Sequence, residues 1–165
     1  MHDTYVFRKI KAEEVPHMFD MILKRMKWMD EKGIEQWNVT RYDEVYPLSY
    51  YEEKQEKGQA FVLYDTASSR IVCAGVLLDQ DDRWPDNPPA FYLHHFVTEI
   101  GASGVGRTFI KHAETYAAEQ GKCFFRLDSA VDNIPLARYY DELGYSPVGT
   151  CVDGLYEGIL REKRL

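Results

Sequence analysis

The sequence predicts an α/β fold of the mixed, α+β kind, a single domain over residues 1–165 on a central sheet of about seven strands. Three observations lead there. Hydrophobic periodicity switches between 2 and about 3.6 residues, in the order strand, two helices, three strands, helix, strand, helix, two strands. Residues 90–130 read as strand, glycine-rich turn, helix and strand, and a crossover of that kind is right-handed with parallel strands. Short turns at 66–70 and at Asp153-Gly154 join their strands as antiparallel hairpins. Parallel neighbours that diverge at their ends leave a cleft, and the glycine-rich turn opens beside it.

Each element has a local reason. Residues 4–11 alternate around Tyr5, Phe7 and Ile10 as a first strand. Val15, Met18, Phe19, Ile22, Leu23 and Met26 fall at helical spacing, and this methionine-rich stripe reads as a core face. Gly33 ends that helix. Trp37, Tyr42, Tyr46, Tyr50 and Tyr51 follow in a second helical region interrupted by Pro47, either lining a site or packing against the sheet. Strands 60–65 and 71–78 come next, then an acidic, proline-rich loop at 79–89 and a strand at 90–97. The helix 107–120 places Phe109, Ile110, Ala113, Tyr116 and Ala117 on one face, with Gly121 closing it. Residues 123–130 form a strand, and Asn133 opens a short helix carrying Leu136, Tyr139, Tyr140 and Leu143. Strands 147–152 and 155–160 make the last hairpin.

Composition narrows the function classes. The net charge of −7 argues against a nucleic-acid partner, which wants a basic face. No apolar stretch approaches membrane-spanning length and no signal-peptide pattern is present, so a soluble, cytoplasmic protein with no membrane partner is expected. Cys73, Cys123 and Cys151 lack metal-type spacing and sit in strand-like runs, which reads as three reduced core cysteines and no metal.

The most informative stretch is Gly101-Ala102-Ser103-Gly104-Val105-Gly106-Arg107-Thr108. A glycine turn from strand to helix exposes backbone N–H groups, and the helix N-terminus adds partial positive charge, so the segment is a phosphate cradle. Read as a nucleotide-triphosphatase loop it has Arg107 where a compact, flexible lysine belongs, and a nucleotide hydrolase remains only as a distant alternative. The dinucleotide pattern fails because Phe109 holds its third glycine position.

With Gly104-Val105-Gly106, the Ala113-Glu114 of the following helix, and the run from Asn133 through Tyr140 to Leu143-Gly144-Tyr145, the chain resembles the GNAT superfamily of N-acetyltransferases. By element order the resemblance covers nearly the whole chain. It implies a sheet with helices on both faces and a splayed parallel pair that forms the cofactor cleft. It also implies acetyl-CoA as cosubstrate and a small-molecule amine as the other partner; a homodimer is the candidate assembly. The cradle departs from the family at Gly101, where the family carries Gln or Arg. Backbone N–H groups bind the phosphates, so that loss need not abolish binding.

The resemblance implies cofactor contacts from Phe96 and Val97 along the strand, from Ala102, Ser103, Gly104, Val105, Gly106, Arg107 and Thr108 in the cradle, and from Asn133. Asn133 also suits a helix N-cap. Tyr140 maps onto the family's general acid, which protonates the leaving thiolate; the alternative is a tyrosine anchored in the core. An alkyl ammonium is about 99.9% protonated at pH 7, a handicap of about 4 kcal/mol, so a base must remove its proton. Glu99, His94, His95 and Asp128 are the candidates, with His94 also a candidate acceptor contact. Trp37 and Tyr46 are placed on the acceptor side. The acidic loop with Asp79, Asp81, Asp82 and Asp86, together with aromatic faces, suggests a positively charged acceptor. A non-catalytic acyl-CoA sensor of the same fold is the second reading.

Overall fold

The structure, a computed structural model, describes residues 4–165. Its elements are β1 (Tyr5–Lys9), a 3-10 turn (Ala12–Glu14), α1 (Val15–Lys32), α2 (Tyr42–Val45), α3 (Leu48–Glu56), β2 (Ala60–Asp65) and β3 (Arg70–Leu78). They continue as β4 (Ala90–Thr98), α4 (Val105–Glu119), β5 (Phe124–Ala130), α5 (Ile134–Glu142), β6 (Ser146–Asp153) and β7 (Tyr156–Arg164). The strands form one seven-stranded sheet in the order β1-β2-β3-β4-β5-β7-β6. Its parallel pair is the crossover pair, β4 with β5, as the glycine turn between them requires. The registered pairing covers Ala90 to Tyr92 against Phe124 to Arg126, although β4 runs on to Thr98 and β5 to Ala130. Internal contacts divide the chain into two compact units, Met1–Leu77 with His95–His112, and Leu78–His94 with Ala113–Leu165.

In the first unit, β1, β2 and β3 pair antiparallel. Of the expected stripe on α1, Val15, Met18 and Ile22 are buried, Phe19 and Met26 partly so, and Leu23 is exposed; Met21 and Met29 complete the core face. Pro16 fits the helix's first turn, and Gly33 ends it at φ 69°, a left-handed conformation that favours glycine. Phe7 of β1 stacks on Phe61 at 5.2 Å and meets Phe109 edge-on at 5.3 Å.

Arg8 ties β1 to the start of α1 through a two-pronged pair with Glu14, at 2.8 and 2.9 Å. The Arg8 guanidinium holds the Glu14 carboxyl below the usual glutamate range, assisted by the Lys11 N–H at 2.8 Å. A depressed carboxylate pKa stabilises the fold above the unfolded-state value, and that stability is lost as pH falls through the folded value. Urea denaturation of wild type and Glu14→Gln should therefore differ at neutral pH and converge as pH falls below about 4. A difference that persists unchanged in acid would show that the charge of Glu14 is not what the pair contributes.

In the second unit, β5 and β6 pair antiparallel with β7. Trp84, Ala90, Tyr92, Cys151 and Leu160 form a buried cluster, with Leu78, Phe124 and Tyr156 packed against it. Two buried arginines are satisfied inside the fold. Arg126 bonds Asp86, Glu162 and the Tyr92 hydroxyl, and Arg161 bonds Ser129 and Asp141.

Three expectations need correction. Helix α4 starts at Val105, two residues before the expected Arg107, because Val105 and Gly106 are buried in its first turn. Cys123 is exposed and precedes β5, so only Cys73 and Cys151 are core thiols. The last strand does not end at 160 as periodicity suggests but runs to Arg164, close to the 156–165 that the resemblance implies, and its Gly158–Arg164 pair with the whole of β5.

Candidate active site

The cradle belongs to the first unit. Glu99 N–H donates to Val72 O of β3 at 2.8 Å, and Ala102 N–H donates back to Glu99 O at 3.1 Å, which closes the turn after β4. Gly101 has φ 87° and Gly104 φ 76°, both left-handed, and no atom lies within 4 Å of where a Cβ would stand on either. The first bond of α4 runs from Thr108 N–H to Gly104 O at 3.2 Å, and the Thr108 hydroxyl donates to the same oxygen at 3.1 Å. The amides of Val105 and Gly106 thus precede the helix's own ladder and sit at its positive end. Ser103 and Gly104 are exposed, Val97 is buried, and Phe96 packs on Phe109 at 5.4 Å. Glu99 is ion-paired with Arg70.

His95 has φ 55°, a conformation that a non-glycine residue rarely holds inside a strand and that concentrates at functional sites. Its neighbours explain how it is held. The Tyr42 hydroxyl meets Nδ1 and the Tyr50 hydroxyl lies 2.9 Å from Nε2. The rings of Tyr46, Tyr50, Tyr51 and Tyr42 surround the imidazole at 4.4 to 5.4 Å. A neutral imidazole offers one donor and one acceptor, so one tyrosine accepts and the other donates. His95, 6% exposed, is the hub of this cluster. Trp37 stacks on Tyr42 at 4.6 Å and Tyr46 lies 5.0 Å from Tyr42, so these aromatic residues lie against one another as well as bordering solvent.

The second unit gathers a polar group. His94 Nε2 donates to Asp81 Oδ2 at 2.7 Å. Burial works to raise the Asp81 pKa, but the His94 hydrogen bond and charge outweigh it, so the carboxyl lies below its usual range. Asp128 accepts from Tyr156 at 2.5 Å and from Arg83 at 3.3 Å. Burial and the Asp128 carboxylate push the Tyr156 hydroxyl well above its ordinary pKa. Gly158 makes room for that ring, since a Cβ there would stand 2.7 Å from Tyr156 and 2.9 Å from Cys151 Sγ. Asp81, His94 and Asp128 offer atoms within 4.8 Å of one another, a spacing that could receive a cation, but Arg83 already brings positive charge to Asp128.

Asn133 caps α5, its Oδ1 accepting from Leu136 N–H at 3.1 Å. Tyr140 is buried on α5, 5% exposed, with its ring 5.3 Å from Tyr139 and 6.0 Å from Tyr145. The Tyr145 hydroxyl donates to Glu114 at 2.6 Å, and Arg161 holds Asp141 at 3.0 Å, which anchors the helix that carries Tyr140. The acidic loop is partly neutralised within the protein. Asp79 pairs with Lys122 and Asp86 with Arg126, and Asp81 is hydrogen-bonded to His94.

No profile of a known protein family matches the sequence, and no curated protein matches it. Solved structures do. A GNAT-family acetyltransferase from Listeria monocytogenes superposes with a TM-score of 0.80 at 21% identity, over 98% of this chain and 95% of its own. The PaiA N-acetyltransferase of Thermoplasma acidophilum, in complex with coenzyme A, gives 0.77 at 14% identity over 99% of this chain and 100% of its own. YncA from Salmonella typhimurium, with its cofactor acetyl-CoA, gives 0.69 at 13% identity over 99% and 95%. This chain has the GNAT fold. The GNAT fold places the parallel strands where the crossover predicts them, and the glycine turn of this chain runs from β4 into α4.

Local sequence reading singled out the glycine turn, Asn133 and Tyr140 as candidates because each belongs to a contiguous pattern. It missed Arg83 and Tyr156 as the partners of Asp128, and Arg25 as the partner of Thr98. Arg83 had one available signal, as a cation inside an acidic loop. Arg25 had none, since on an amphipathic helix it looks like any solvated arginine.

Proposed function

We propose that the protein is an acetyl-CoA-dependent N-acetyltransferase that moves an acetyl group directly to a primary amine of a small molecule. The observation that carries the reading is the start of α4. Two left-handed glycines with open space beside them lead into helix amides that precede any intrahelical bond, an arrangement that suits a diphosphate. Coenzyme A and acetyl-CoA in structures of the same fold support it.

Acetyl-CoA supplies an activated acetyl group on a thioester. In this reading the amides at 102–108 hold its diphosphate, the main chain of Phe96 and Val97 pairs with its pantetheine arm, and Asn133 contacts it as well as capping α5. Tyr140, in the second unit, gives its hydroxyl proton to the sulfur as the carbon–sulfur bond breaks and the electron pair leaves with the thiolate. The ammonium must first lose a proton so that its lone pair can attack the carbonyl carbon. Among the four candidate bases, Glu99 and Asp128 each hold an arginine, and both ring nitrogens of His95 meet tyrosines. His94 has the arrangement of a general base, an imidazole whose tautomer is set by a carboxylate, here Asp81. His94 takes the proton, and Trp37 and Tyr46 stay on the acceptor side of the proposal.

Calorimetry with CoA and thiol release across a panel of amines test this. Binding with release supports the enzyme; binding without release on any amine would favour a non-catalytic acyl-CoA sensor; no binding ends both readings. Gly104→Val should weaken CoA binding by about tenfold or more, since a β-branched residue is strained at φ 76° and obstructs the phosphates. Unchanged affinity in a folded Gly104→Val protein would move the diphosphate elsewhere.

A further inference from the structure

Arg25 of α1 is a half-buried cation that no acidic side chain among the described residues meets. Its Nη2 donates to the carbonyl oxygen and to Oγ1 of Thr98, both at 3.0 Å, and its guanidinium lies 4.7 Å over the Trp28 ring. The other buried and half-buried arginines each hold a carboxylate: Arg8 with Glu14, Arg83 with Asp128, Arg126 with Glu162, Arg161 with Asp141. Only burial acts on the charge of Arg25, and it lowers the pKa. A desolvated charge without a counter-ion costs free energy unless a ligand supplies one.

Its position says which ligand. Along a strand, successive residues turn their N–H and C=O groups to opposite edges. Glu99 N–H bonds Val72 O of β3, so the Thr98 carbonyl that Arg25 meets lies on the edge of β4 away from β3. Three residues later the cradle begins, and Gly101, Ala102 and Ser103 bring no charged side chain to it. A guanidinium fork still has donors for phosphate oxygens after giving two hydrogen bonds from one nitrogen.

We propose that Arg25 is a phosphate-binding residue, reaching from α1 to the end of β4, where the cradle begins, to hold the diphosphate of acetyl-CoA together with the cradle's amides. The assignment rests on the acetyl-CoA reading above. The Trp28 ring backs the guanidinium, and Thr98 holds one of its nitrogens.

CoA and inorganic pyrophosphate, titrated into wild type, Arg25→Gln and Arg25→Lys, test it, with thermal melts as the check of folding. Arg25→Gln should lose about tenfold to hundredfold in affinity for CoA and a parallel share for pyrophosphate, with the acceptor KM unchanged. Arg25→Lys keeps the charge but not the fork, so a smaller loss for both probes is expected, and it carries the test if Arg25→Gln does not fold. CoA affinity equal to wild type, or a loss for CoA with pyrophosphate binding intact, overturns the assignment. In the first case a raised acceptor KM would move Arg25 to an anionic group of the acceptor. A wild-type protein that binds no CoA instead ends the acetyl-CoA reading itself.

Discussion

Tyr140→Phe is expected to leave CoA affinity near wild type and to lower turnover by about tenfold to a thousandfold. Only a hydroxyl is removed, and in the proposed mechanism it acts late, on the leaving sulfur. The ring keeps its packing against Tyr139 and Tyr145. Tyr145→Phe is the contrasting control. Its hydroxyl is committed to Glu114 at 2.6 Å, and burial and that carboxylate push it well above the ordinary tyrosine pKa. Losing it should cost about 1 kcal/mol of stability and leave the acyl-transfer rate of the folded protein intact. Steady-state rates on a good acceptor across the pH range decide the matter. Wild-type turnover in Tyr140→Phe at every pH would remove Tyr140 from the chemistry and leave it as a core tyrosine.

Arg126→Met should cost about 3 kcal/mol of folding stability, the lower end for breaking a buried ion pair. Arg126 stands on β5 with its guanidinium 4.2 Å over the Trp84 ring. It bonds Asp86 at 2.8 Å, Glu162 at 2.7 Å and the Tyr92 hydroxyl at 3.1 Å. Burial works against the charge, but these three partners outweigh it and raise the pKa. Methionine fills much of the space and leaves Glu162 without its cation. The cost stays at the lower end because the Asp86 side chain is 60% exposed and can turn to water. Urea denaturation of wild type, Arg126→Met and Arg126→Met with Glu162→Gln gives the answer. The second substitution should recover part of the loss, because the stranded carboxylate is its main source. A loss below about 1 kcal/mol would mean that the cluster behaves as a surface pair.

How much of this was legible beforehand differs by element. The strand at 60–65 was read to the residue, because alternation and its flanking turns are local. The start of α4 was read two residues late, because Gly106 looks like part of a turn when it is a buried residue of the helix's first turn. Cys123 looked like a strand residue because Phe124 and Phe125 follow it, yet strand pairing begins only at Phe124. His94 and His95 are the sharpest case. Side by side in the sequence they are equivalent candidates; in the fold one meets Asp81 and the other sits among tyrosines at φ 55°.

The sequence by itself determined the order of elements, the parallel crossover, the glycine turn that leads into α4 and the likeness to the GNAT superfamily. All of these are encoded in periodicity, glycine placement and contiguous motifs, where the interacting residues are near neighbours along the chain. Only the tertiary structure decided which polar side chains meet. Arg83 reaches Asp128 across 45 residues, and Arg25 reaches Thr98 across 73. No local pattern records such pairs, because each partner's own neighbourhood is compatible with a solvated side chain. The pairing is set by the order of strands in the sheet and by the helices laid against them, and it is there that an exposed-looking arginine becomes a half-buried charge in want of an anion.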